Sequence, residues 1–122
     1  MRPLIVTALL LLTLTASAAA DWQLYYDDGK IVASYDVLSR APFREQPSLW
    51  VRWHYAAPQD GVGGKKIEFT AQCSEHRLFE VRTIPYDANG NYLEESDHLK
   101  TPKEVPVDST PLAKATYELL CE

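Results

Sequence analysis

The chain has 122 residues, with 17 acidic side chains against 12 Lys and Arg and a formal charge of −5. That length holds one small domain. The acidic balance argues against nucleic acid or an anionic membrane surface as partner, because such binding is driven by Lys and Arg neutralising phosphates. A domain of about 100 residues buries only about 60–65% of the surface its unfolded chain exposes, so its core is modest and a covalent staple matters.

Residues 1–20 read as a signal peptide. Arg2 supplies the positive start, residues 4–14 form an apolar run, and Ala16-Ser17-Ala18-Ala19-Ala20 offers small side chains to a signal peptidase. The run is shorter than the ~20 residues of a spanning helix, and the Ala18 and Ala20 pattern places cleavage after Ala20. A retained membrane anchor is the alternative. No cysteine adjoins the cleavage site, so nothing marks lipid attachment. The expectation is export to the periplasm or beyond, with residues 21–122 as a single domain and no membrane span after cleavage. The two cysteines of an exported chain, Cys73 and Cys121, read as one disulfide. Two free thiols or an intermolecular bond are the alternative.

In chain order, residues 22–27 read as a first strand, Asp28-Gly29 as a two-residue hairpin signal, and residues 30–37 as the returning strand. Residues 38–48 read as a loop, because Pro42 and Pro47 oppose a continuous strand. Phe43 between Arg40 and Arg44 is either a contact patch or a side chain tucked against the sheet edge. Residues 49–56 are the most β-like run: Val51, Trp53 and Tyr55 fall on one face, and Trp50, Arg52 and His54 on the other. The first set is expected to meet the core and the second to face a partner. Residues 57–64 read as a flexible, glycine-rich hairpin tip; they lack the Gly-Lys-Ser/Thr of a phosphate loop. In the next strand Ile67, Phe69, Ala71 and Cys73 are expected to point inward, and Glu68, Thr70 and Gln72 outward.

After a turn at Ser74-Glu75, residues 76–84 read as a strand with Phe79 and Val81 on one face. Asn89-Gly90 is a second hairpin signal, flanked by Tyr86 and Tyr92, which can pair across it. Residues 94–106 read as a polar crossover with a short extended piece near Glu104-Val105. Asp108-Ser109-Thr110-Pro111 then marks a helix start. Leu112, Thr116, Leu119 and Leu120 lie opposite the polar face of Lys114, Glu118 and Glu122, ready to pack on the sheet. Cys121 falls near the edge of that polar face. Either the last turn unwinds to reach Cys73, or residues 117–121 form a closing strand. The fold expected is α+β: an antiparallel sheet of about six strands covered by one C-terminal helix, with one disulfide.

Catalytic and metal patterns are missing from the sequence. His54, His76 and His98 are scattered over three segments, with no H-x-x-x-H, C-x-x-C or H-E-x-x-H spacing, so no metal or cofactor is expected. Structural use of both cysteines leaves no thiol nucleophile. There is no G-x-S-x-G elbow, and Glu94-Glu95-Asp97 sits in a polar segment that suits a solvated surface.

The chain resembles the surface-adhesin protein E family of small exported bacterial proteins. The resemblance is carried by the order of several pieces: the leader, Trp22 with Tyr25-Tyr26-Asp27, Ile31 to Asp36, Leu49-Trp50-Val51-Arg52-Trp53, Ile67-Glu68-Phe69-Thr70-Ala71-Gln72-Cys73 followed by Arg77, the Tyr86 to Tyr92 turn, and a Ser/Pro helix start before a terminal cysteine. It implies an antiparallel sheet under a C-terminal helix, a disulfide at the positions of Cys73 and Cys121, adhesion to host matrix and serum proteins, and a capacity to dimerise. The chain departs from the family in having His98-Leu99-Lys100-Thr101-Pro102 where a tryptophan usually precedes the helix, and in having no lipidation cysteine.

The function expected is a non-catalytic, adhesin-like protein-binding module. Its contact residues are expected among Trp50, Arg52 and His54, with Arg40 and Arg44 nearby in sequence. Tyr, Trp and Arg are the types enriched at binding hot spots. The alternatives are a periplasmic inhibitor of an enzyme such as a lysozyme or protease, acting through the tip at residues 60–66, and a small-molecule carrier, which needs a closed barrel with an apolar cavity.

Overall fold

The structure, a computed structural model, describes residues 19–122. Almost all of the expected signal peptide therefore lies outside the described residues. These residues form one antiparallel sheet with a single α-helix laid on one face. Its strands are β1 (Trp22–Asp27), β2 (Ile31–Asp36), β3 (Ala41–Phe43), β4 (Gln46–Gln59), β5 (Val62–Gln72), β6 (Arg77–Tyr86), β7 (Ser96–Asp97) and β8 (Lys103–Val105). The order across the sheet is β1-β2-β4-β5-β6-β7, with β3 also pairing β4 and β8 also pairing β6. The helix, α1, spans Pro111–Cys121. This is the α+β arrangement expected, with two extra short strands.

Alternation along β4 and β5 builds the core. Leu49 and Val51 pair with Phe69 and Ile67 on one face, and Ala71 pairs with Leu78 of β6. All six are fully buried, and they pack against Ala113, Leu119 and Leu120 of α1. Trp53 closes one side of this cluster, its ring 5.6 Å from that of Phe69. Thr110 caps the helix by accepting the Ala113 N–H at 3.0 Å, and Pro111 occupies the first turn, where its missing N–H leaves no bond unmade.

The helix runs unbroken through Cys121, so neither an unwound last turn nor a closing strand is needed to reach Cys73. The reason lies at the other cysteine. Strand β5 ends at Gln72, and Cys73 opens a 3-10 turn that His76, at a left-handed φ of 56°, reverses. Cys73 is thereby lifted off the end of the sheet toward the last helical turn, with Cα atoms 5.6 Å apart across the disulfide. The Tyr117 hydroxyl donates to the Cys73 carbonyl at 2.8 Å beside it.

A buried polar relay ties the first strand to the helix. Thr116 donates its hydroxyl proton to the Leu112 carbonyl, so the Tyr25 hydroxyl, 2.8 Å away, donates to Thr116; Tyr25 in turn accepts from the Trp53 indole N–H at 3.0 Å. Every group in the relay is satisfied, as burial demands. Burial pushes the Tyr25 pKa up to about 12. The proton is then held more tightly folded than unfolded. The stabilisation is intact below pH 10 and is lost as pH rises from 10 through 12, by about 2–3 kcal/mol. Urea midpoints measured across that window should fall steeply for the native chain and less steeply for Tyr25→Phe.

Three segments differ from the sequence expectation. Residues 38–48 are not a plain loop: β3 and β4 form a tight hairpin around Arg44 and Glu45, both at positive φ. Pro42 and Pro47 stand opposite one another, one step from the closing Phe43–Gln46 pair. In an antiparallel ladder that step is a non-hydrogen-bonded pair, so neither proline interrupts a β3–β4 bond. The glycine-rich tip is also tighter, with Asp60-Gly61 alone making the turn and Gly63 and Gly64 buried inside β5. Lastly, a register shift in β6 opposite Glu68 and Phe69 breaks the alternation between Phe79 and Val81. Val81 is fully buried there, while Phe79 is half-buried opposite Thr70.

Candidate functional site

The helix covers the face of Leu49, Val51 and Trp53. No helix covers the opposite face among the described residues, although at one end Phe43, Arg44 and Pro102 flank Thr70, which is buried with Ser48. Pairing brings together on the rest of it side chains that are distant in sequence. Trp50 stands opposite Glu68, Arg52 opposite Lys66, and Glu68 opposite Arg82. Arg82 donates to the Glu68 carboxylate at 2.9 Å. The Arg82 guanidinium and the Lys66 ammonium lie 5.0 and 5.1 Å from the Trp50 ring, and the Arg52 guanidinium lies 4.3 Å from the Trp22 ring. Each cation is held within cation–π range of an indole, which fixes long side chains that would otherwise be free.

At one end of this stripe, His54 stacks on Tyr86 with ring centroids 6.2 Å apart, its Nδ1 3.3 Å from the Tyr86 hydroxyl. Tyr86 meets Tyr92 edge-on at 6.5 Å across the Asn89-Gly90 turn, the pairing expected from the sequence. Asp87 makes that turn: its carbonyl accepts the Gly90 N–H at 3.0 Å, and its carboxylate accepts from the Asn89 and Asn91 N–H groups. Asn89-Gly90 therefore occupies the last two positions of the turn rather than the central two. An open cleft of about 410 Å3 lies between Val32 and Ser34 of β2, Arg52 and His54 of β4, and the two tyrosines. Burial raises the Tyr86 pKa, which nearby Arg52 partly offsets.

Gly64 makes room for Tyr86. A Cβ there would overlap the Tyr86 hydroxyl and lie 2.5 Å from the Trp53 carbonyl. Gly64→Ala should displace Tyr86, destabilise the fold by about 1–3 kcal/mol and remove one wall of the cleft; thermal unfolding and the Tyr86 ring resonances check both effects.

The sequence-derived residues divide on this surface. Trp50, Arg52 and His54 lie on the uncovered face as expected. Arg40 does not: its guanidinium donates to the Leu119 and Leu120 carbonyls at 3.0 and 3.4 Å, satisfying the end of α1. Arg44 reaches the Leu99 and Lys100 carbonyls and lies over Phe43, where it holds the crossover that follows β7. Sequence reasoning missed Trp22, Lys66, Arg82, Tyr86 and Tyr92 as members of the site. The register of β4 on β5 would have found Lys66; the others depend on pairings between distant segments.

His54, His76 and His98 remain apart; His76 sits 3.3 Å from Asp108 at the other end of the sheet. Among the described residues, no three His, Cys, Asp or Glu side chains gather as metal ligands, and no helix is long and apolar enough to cross a membrane. The sheet is open rather than a closed barrel. No family model, curated protein or solved structure matches the chain.

Proposed function

We propose that the protein is an exported, non-catalytic protein-binding module of the surface-adhesin E kind, and that the uncovered sheet face is its contact surface. The observation that carries this is the row Trp22-Arg52 and Trp50-Lys66-Arg82, in which hot-spot residue types are fixed on rigid strands. A sheet surface bearing pre-placed indole and guanidinium groups pays little ordering entropy on binding. The Cys73–Cys121 bond fits an oxidising compartment, as the leader-like residues 1–20 also suggest.

The test is capture by the immobilised native protein from periplasmic extract and from a panel of host matrix and serum proteins. A specific partner should be retained, and Trp50→Ala with Arg52→Ala should weaken capture at least tenfold without changing the circular dichroism spectrum. Unchanged capture by that folded double variant removes the face from consideration.

The inhibitor reading keeps one supporting observation. Strand β2 pairs with β4 only as far as Tyr55, and residues 56–61 are exposed, so the β4–β5 turn projects from the sheet. Deleting that projection and assaying inhibition of lysozymes and proteases distinguishes it from binding on the face.

A further inference from the structure

The centre of the uncovered face holds a charge arrangement that folding alone does not account for. Arg52 and Lys66 are directly opposite one another across β4 and β5. Like charges so placed are destabilising. The arginines of β6, by contrast, have partners: Arg82 pairs with Glu68 at 2.9 Å, and Arg77 pairs with Glu104 at 2.8 Å. Among the described residues no carboxylate lies within ion-pair distance of Arg52 or Lys66. Their only compensation is the indole beneath each. Two unmatched cations thus sit side by side in a chain whose net charge is −5.

We infer that the partner presents a short acidic segment of polypeptide, whose carboxylates bridge Arg52 and Lys66 and whose neighbouring apolar or aromatic side chain enters the cleft between Val32 and Tyr92. This rests on the binding-module reading and names the chemistry of the partner. Arg52 belongs to both parts of the site: it is half of the cation pair and also lines the cleft. Arg52 is partly exposed beside the cleft, and a guanidinium grips a planar carboxylate in bidentate fashion. A segment with one or two carboxylates matches the two charges. A dense polyanion such as heparin or nucleic acid meets the Glu68 carboxylate within the stripe and the net negative charge of the whole chain.

The test is an array of random dodecapeptides probed with the native, disulfide-intact protein at low and physiological salt, in parallel with heparin beads and phosphatidylglycerol vesicles. The expected result is retention of peptides enriched in Asp or Glu beside Leu, Phe or Tyr, with binding that weakens as salt rises. Arg52→Gln with Lys66→Gln should weaken the retained peptides at least tenfold while leaving the circular dichroism spectrum and Cys73–Cys121 bond unchanged. Val32→Glu, which places a like charge at the cleft wall, should weaken them also. Retained peptides with no acidic excess, no retained peptides at all, equal binding by the folded Arg52/Lys66 variant, or preference for heparin or vesicles would overturn the inference. If the Arg52/Lys66 variant still captures protein partners that Trp50→Ala loses, the binding-module reading stands and the acidic segment alone fails.

Discussion

Replacing Cys73 and Cys121 together by alanine is expected to lower the unfolding free energy by about 4 kcal/mol, because the bond closes a loop spanning 48 residues and removes that much chain entropy from the unfolded ensemble. For a domain whose total stability is about 5–15 kcal/mol, this separates a robust fold from a marginal one. The two ends it joins explain why the loss spreads. Cys121 terminates the helix that carries Leu119 and Leu120 into the core, and Cys73 directly follows the strand that carries Phe69 and Ala71. Urea titration of native, reduced and double-alanine proteins measures the effect. The reduced and alanine forms should coincide, and both should keep the native spectrum at low denaturant, since the Arg40 bonds to the helix end and the Thr110 cap survive. A double-alanine variant as stable as the native chain would show that the bond only locks a helix already secured by packing.

The second large effect is expected at Phe69. Its ring is fully buried at the middle of β5, between Leu49 and Glu80 in the register and against Trp53. Phe69→Ala should cost about 3–5 kcal/mol, from lost transfer energy and the cavity left behind. Phe79→Ala offers the comparison: Phe79 is half-buried on the uncovered face under the Arg77 guanidinium, and its loss should cost markedly less. Equal losses at the two positions would mean that the face away from the helix is covered in solution.

The architecture was legible where one segment decides its own structure. Period-two alternation in residues 49–55 and 65–71 placed Val51, Trp53, Ile67, Phe69 and Ala71 on the core side, and the Thr110-Pro111 start placed the helix. What failed depended on partners. Prolines 42 and 47 look incompatible with strand until they are seen opposite one another at a pair that makes no ladder bond. Phe79 and Val81 look equivalent until the register shift opposite Glu68 and Phe69 separates them. For the site, the Trp50-Arg52-His54 stripe was readable from β4 alone, but proximity in sequence misled at Arg40, whose guanidinium holds carbonyls at the helix end instead. Trp22 reaches Arg52 only because β2 lies between β1 and β4.

The margins of the sheet carry a consequence of their own. At one margin stands β1, whose pairing with β2 slips between Leu24 and Tyr26; at the other lie β7 and β8, of two and three residues. Neither offers a long, regular row of unpaired amide groups onto which a neighbouring molecule can zip. High local concentrations therefore should not drive these molecules into fibrils, even though much of one β surface carries no helix over it.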